Sequence, residues 1–166
     1  MELELFREEH LGAMAALLAD PEVLRFTLLP VPVPDDFLPA WYGRYEQGRR
    51  DGTRELFAIV EDGEFLGTAM APAIEAEART LELGYMVAPA ARGRGVATEA
   101  LRELTEWAFA THDALRLELR ISVDNAASKR VAERAGYVRE GVLRSVYFKQ
   151  GLREDLEIWS RLPGDP

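Results

Sequence analysis

Along Arg79 to Val87 apolar and polar positions alternate, with Leu81, Leu83 and Tyr85 on one side and Glu82 on the other. This two-residue period predicts a half-buried strand. From Ala97 to Ala110 the period changes, because Leu101, Leu104 and Ala108 recur at helical spacing and predict a long amphipathic helix. Leu115 to Ile121 reads as the next strand, and the helix between the two strands requires them to pair in parallel through a crossover. Earlier in the chain, Glu2 to Phe6 predicts a short strand, and Glu8 to Leu18 a helix presenting Leu11, Met14, Ala15 and Leu18. Five prolines between Pro21 and Pro39 exclude one regular element there, although Asp35 or Asp36 can cap a helix carrying Phe37, Trp41 and Tyr45. Leu56 to Val60 and Phe65 to Met70 flank Glu61-Asp62-Gly63-Glu64, a hairpin signal. A helix over 126–134 follows, then Tyr137 to Phe148 and Leu156 to Ser160 as a hairpin through Lys149-Gln150-Gly151.

Strands and helices in this order predict a mixed α/β (α+β) sheet flanked by helices. With 166 residues and 48% hydrophobic content, the chain can bury one sizeable core, so a single domain over 1–166 is expected. Its formal charge of -9 argues against general nucleic-acid or anionic-membrane binding and would steer a cationic amine favourably. The absence of cysteine excludes a disulfide scaffold, a thiolate metal site and a cysteine nucleophile. His10 and His112 form neither triad nor metal spacing, so no metal site is expected. Acidic residues break any signal-like run in the first 20 positions, and no apolar stretch approaches membrane-spanning length, so a soluble cytoplasmic protein is expected.

Chemistry concentrates in Arg92-Gly93-Arg94-Gly95-Val96-Ala97, between the strand ending at Val87 and a helix starting near Thr98. Free amides at such a helix start, with the positive end of its dipole, suit a phosphate. Gly93 and Gly95 permit positive φ and keep side chains away from those amides. The spacing is neither the dinucleotide fingerprint nor a Walker loop, and by itself such a turn can equally be a surface connection. A second cluster, Asp124-Asn125-Ala126-Ala127-Ser128, opens a short helix that closes at Gly136-Tyr137.

Together these segments resemble the GNAT superfamily of N-acetyltransferases, and within it the RimJ/RimL-type group that acetylates N-terminal amines. The acyl-coenzyme A loop pattern Gln/Arg-x-x-Gly-x-Gly/Ala appears as Arg92, Gly95 and Ala97. The later Asn-x-x-Ser pattern with its Gly-Phe/Tyr appears as Asn125, Ser128 and Gly136-Tyr137. The resemblance implies a central sheet splayed between two parallel strands, with the pantetheine arm of acetyl-coenzyme A entering the gap. It implies cofactor contacts at Val87, Arg92, Gly93, Arg94, Gly95, Val96, Ala97, Thr98, Asn125 and Ser128, those of Arg92 and Arg94 being charge-assisted. It also implies a thiolate-side role for Ser128. The tyrosine that many superfamily members place one helical turn later is Ala132 here, so their tyrosine mechanism does not transfer.

Acetyl transfer from a thioester to an amine needs proximity, a route for the ammonium proton and a donor for the departing thiolate. Ser128 is the candidate donor, with turn-capping or cofactor binding alone as the alternative. Glu82 is the candidate base if its strand face lines the cleft; a solvent or arginine partner is the competing reading. Asn125 is either an amide-binding group or a local cap. Tyr137 reads as packing and Asp155 as a structural hydrogen-bond acceptor. The expected acceptor is a protein or peptide N-terminal amine, with a small-molecule amine, or a non-catalytic acyl-coenzyme A binding module, as alternatives. A homodimer is implied by resemblance alone.

Overall fold

The computed structural model describes residues 1–165. Seven strands form one sheet in the order β1-β2-β3-β4-β5-β7-β6: β1 Glu2–Leu5, β2 Glu55–Glu61, β3 Glu64–Glu75, β4 Thr80–Val87, β5 Arg116–Ser122, β6 Val138–Lys149 and β7 Leu152–Arg161. The helices are α1 Leu11–Leu18, α2 Pro21–Phe26, α3 Phe37–Asp51, α4 Val96–His112 and α5 Ala126–Arg134. Both tight hairpins use turns with two positive φ values, 53° and 80° at Asp62-Gly63 and 50° and 81° at Gln150-Gly151. Turns of this kind match the right-handed strand twist.

Each sheet face carries its own core. On one, α4 buries Ala100, Leu101, Leu104 and Ala108 against Leu81, Leu83, Leu117 and Leu119; a fully buried leucine contributes about 1.5–3 kcal/mol. On the other, α1, α2 and α3 supply Met14, Leu17, Val23, Trp41 and Tyr45 against Phe6, Leu56, Val60 and Met86. Period-two alternation therefore sends Leu81 and Leu83 towards α4, and Glu82 towards α3.

Four elements depart from the expected boundaries, the first being β7, which starts at Leu152 rather than Leu156 because the tight Gln150-Gly151 turn lets pairing with β6 begin at once. Residues 8–18 split into a 3-10 turn at Glu8–His10 and α1, because the His10 ring turns back to accept the Arg7 amide through Nδ1. Within the proline-rich region α2 forms, since Asp20 caps it through the amides of Glu22 and Val23 and Pro21 takes the first turn, where its missing N–H costs nothing. Asp36, by contrast, precedes α3 without a side-chain cap. Finally, β3 continues past Met70. Met70 pairs with Gly84 and Ala73 with Glu82, so Ala71 and Pro72 together oppose Leu83 in a bulge. There proline's missing donor interrupts no ladder bond.

Candidate active site

β4 and β5 are parallel, but their pairing covers only Thr80 with Arg116, Leu81 with Leu117, and Glu82 with Glu118. β4 runs on to Val87 and β5 to Ser122, so their carboxyl-terminal halves separate. The β3 bulge lies directly across β4 from this point of divergence and adds local twist. A cleft of about 780 Å³ opens there, lined by the free halves of both strands, the heads of α4 and α5, and α2 and α3. Such a crevice at the carboxyl ends of strands is where open α/β sheets bind ligands.

At the head of α4, Gly93 and Gly95 have φ of 75° and 88°, and a Cβ built on either meets nothing within 4 Å. The turn thus needs glycine for its backbone conformation and leaves the space before it open. Gly95 O accepts from the Thr98 and Glu99 amides, and no side chain caps the helix. Gly93, Arg94, Gly95, Val96 and Ala97 consequently present five consecutive amides with no acceptor among the described residues. The Thr98 amide, expected to join them, is already used by Gly95 O, although Thr98 lines the cleft.

The two arginines of this loop are engaged elsewhere. Arg92 donates to Asp20 at 2.7 Å, to Glu22 at 2.6 Å and, through Nε, to Val87 O at 3.2 Å. The guanidinium holds the Asp20 carboxyl below its usual range and ties the capped start of α2 to the loop. Arg94 pairs with Glu61 and, unlike Arg92, is not among the cleft residues. The groups this loop leaves open are therefore its backbone amides rather than these side chains.

Asn125 and Ser128 sit across the cleft on α5. Asn125 Oδ1 accepts the Ser128 amide at 3.0 Å, so its oxygen serves the cap. Ser128 Oγ lies 2.8 Å from Tyr85 Oη, a contact that sequence reasoning missed. Burial pushes the Tyr85 phenol up to about 12, despite the lowering effect of the serine, so it remains protonated at neutral pH. A signal was present in the sequence: Tyr85 follows Leu81 and Leu83 on the face covered by α4 and α5. Ala132 is fully buried in the same core, which leaves no cleft-facing phenol at that helical position.

Glu82 lines the cleft from the α3 face. It lies 3.4 Å from Arg120, and burial raises its pKa above the usual carboxylate value, opposed by Arg120 and assisted by Glu118. Both sequence readings of Glu82, cleft position and arginine partner, thus describe one environment. Val87, Val96 and Ala97 line the cleft as well. Other candidates lie apart from it. Tyr137 is buried with its hydroxyl 2.7 Å from Thr105 on α4, and Asp155 accepts the Ser145 amide at 2.6 Å. His10 sits between Arg7 and Glu4, and His112 packs against Trp107. Among the described residues no helix is long and apolar enough to cross a membrane.

The chain is 28% identical over 111 residues to the ribosomal-protein-serine acetyltransferase of Escherichia coli (strain K12), covering 67% of this chain and 62% of that protein. It thus spans about three-fifths of that relative's length. Over 152 residues it is 29% identical to the L-amino acid N-acetyltransferase AaaT of the same organism, covering 90% of each. The fold superposes on RimL, a ribosomal alpha-N-protein acetyltransferase solved in complex with coenzyme A. The TM-score is 0.88 at 22% identity, over 96% of this chain and 92% of that one. Residues 1–138 match the model of the acetyltransferase (GNAT) domain, and the chain belongs to that family.

Proposed function

We propose that the chain is a cytoplasmic N-acetyltransferase, a single domain that moves an acetyl group from acetyl-coenzyme A to a primary amine of a protein, a peptide or a smaller amine. The observation that carries this reading is the row of open amides from Gly93 to Ala97 at the mouth of the β4–β5 gap. The row and the helix dipole suit a diphosphate, and the gap offers unpaired strand edges to an extended amide-bearing arm. Acetyl-coenzyme A supplies the acetyl thioester; the chain supplies position and proton handling. Glu82, with its raised pKa, accepts the proton lost by the amine nitrogen as the new N–C bond forms, directly or through water. As the C–S bond breaks, Ser128 Oγ donates towards the sulfur. Tyr85 Oη, donating to Ser128 Oγ, leaves the serine proton free for that task.

Relatives support both acceptor classes. One is named for a ribosomal protein and one for L-amino acids. Thiol release from acetyl-coenzyme A in the presence of a panel of N-terminal peptides, amino acids and polyamines tests the reading. Acceptor-dependent release is expected; tight coenzyme A binding with no release for any acceptor would leave a binding module instead.

A further inference from the structure

The cleft is charged against the grain of the molecule. In a chain of net charge -9, its lining carries seven arginines and three glutamates. Arg92, Arg130 and Arg134 belong to the loop and helix that flank the proposed diphosphate position, leaving Arg25, Arg44, Arg54 and Arg120 on the side of α2, α3 and Glu82. The acids on that side are Glu22 on α2, held by Arg92, Glu82, held by Arg120, and Glu154 on β7, which pairs in register with Tyr147 on β6.

None of the ion pairs among the described residues uses Arg25, Arg44 or Arg54. Each is instead placed over an aromatic ring: Arg25 4.8 Å from the Phe26 centroid, Arg44 5.8 Å from Phe37 and Arg54 5.9 Å from Tyr45. Stacking of this kind orders the planar fork while leaving its N–H edge free for an anion. Arg54 stands over the buried Tyr45 and Arg44, the preceding residue on α3, over Phe37; both line the cleft with Glu82, and the charges of all three act on the Tyr45 phenol. Two carboxylate-free guanidinium groups therefore stand in the neighbourhood of the candidate base, above an apolar floor of Trp41 and Tyr45.

We infer that the acceptor is an amine carrying a carboxylate within a few bonds of its nitrogen, with Arg44 and Arg54 binding that carboxylate while the amine faces Glu82. This reverses the expectation, drawn from net charge, of a cationic acceptor, and it rests on the transferase reading above for the amine's position. The carboxylate belongs either to a free amino acid or to an acidic side chain next to a peptide N-terminus. In both, a bidentate guanidinium contact is the recognition chemistry.

Matched acceptors test it in the full-length protein: an α-amino acid against its carboxamide, a peptide with glutamate at its second and third positions against the glutamine version, and spermidine. The carboxylate member of one pair is expected to show a KM lower by about tenfold, the scale of one charge-assisted contact. Which pair discriminates identifies the source. Arg44→Gln and Arg54→Gln should each raise that KM roughly fivefold or more while changing the amide's KM less than about twofold. Acetyl-coenzyme A affinity should hold. Arg54 packs its stem beside Gly48, so the exposed Arg44 provides the variant least coupled to folding. Equal use of acid, amide and spermidine, unmoved by either substitution, would overturn the inference and leave the transferase reading standing. Calorimetric titration of the coenzyme A-saturated protein with the same pairs separates the two failures. Acid-selective binding without thiol release would support the arginine subsite and sink the transferase reading, and equal binding of acid and amide would sink the subsite.

Discussion

Tyr85 and Ser128 stand 43 positions apart in the chain, yet their hydroxyls meet at 2.8 Å, where either can donate to the other. A phenol pushed up to about 12 by burial keeps its proton throughout the physiological range, and the proposed mechanism takes Tyr85 as the donor of this bond, so that Ser128 keeps its own proton to give. Ser128→Ala should then lower single-turnover rates by roughly 10- to 100-fold, the scale of removing one donor from developing charge. Acetyl-coenzyme A affinity should change little, because the ground-state thioester carries no such charge. Tyr85→Phe should produce a smaller loss of the same kind. A drop in cofactor affinity matching the drop in rate would demote both residues to cofactor contacts. As the proposed base Glu82 acts in its ionised form, and burial raises its pKa, so the rate should climb with pH through a limb lying above the ordinary carboxylate value of 4.5. Glu82→Gln should abolish that limb and leave only the one set by the acceptor amine. Acceptors of low basicity, measured across pH, separate the two limbs; an unchanged profile would remove Glu82 from the proton path.

At the scale of elements, much of the site was legible because local chemistry dictates it. Two glycines followed by a helical period locate a helix start with open amides, and Asn125 followed by Ser128 locates a capped helix; neither needs tertiary information. The β3 bulge was hidden for the opposite reason. Pro72 reads locally as a strand end, and only its pairing partners reveal that the strand continues around it. The α2 helix was obscured by the density of prolines, although Asp20-Pro21-Glu22 carries a cap, a first-turn proline and a first-turn acid. Nor could local pattern show that Arg92 is spent on Asp20 and Glu22, because those carboxylates are about seventy residues away in sequence. With both loop arginines engaged, the proposed phosphate contact falls to the backbone of the α4 head. Gly95→Asp should accordingly be severe, placing a β-carbon at a φ of 88° and a negative charge before the row of open amides. A loss of about 100-fold or more in acetyl-coenzyme A affinity is expected by calorimetry, the scale of about 3 kcal/mol. Unchanged affinity in a folded variant would exclude this loop from the cofactor site.

Across the whole molecule, a sheet that opens at one end must be held at the other. Where β4 and β5 still pair, Arg116 on β5 reaches Glu118 at 2.6 Å and forks onto Glu140 of β6 at 2.6 and 2.8 Å. Ser160 of β7 donates to the same Glu140 carboxylate at 2.6 Å. Three neighbouring strands are thereby cross-linked at the closed end, with the inserted strand β7 bridged by its own hydroxyl. Arg116 first, and then Ser160, hold the Glu140 carboxyl down to about 2 from an ordinary 4.5. A carboxylate whose folded pKa is depressed is ionised in the fold while the unfolded chain takes up a proton. Its contribution is therefore present above about 4.5 and lost as pH falls towards about 2. Glu140 is partly exposed, and solvent screening keeps that contribution modest. Glu140→Gln should lower the melting temperature by a few degrees at neutral pH, on the order expected of one well-formed surface fork. The gap between variant and wild type should then close progressively below about pH 4.5. Thermal unfolding at several pH values checks both features, and acetyl-coenzyme A affinity measured alongside should stay constant, since the clamp lies at the end of the sheet opposite the cleft. A gap that persisted unchanged down to pH 2 would mean that the substitution acts through packing or the denatured chain, and that the paired end of the sheet is held by its ladder and its two cores alone.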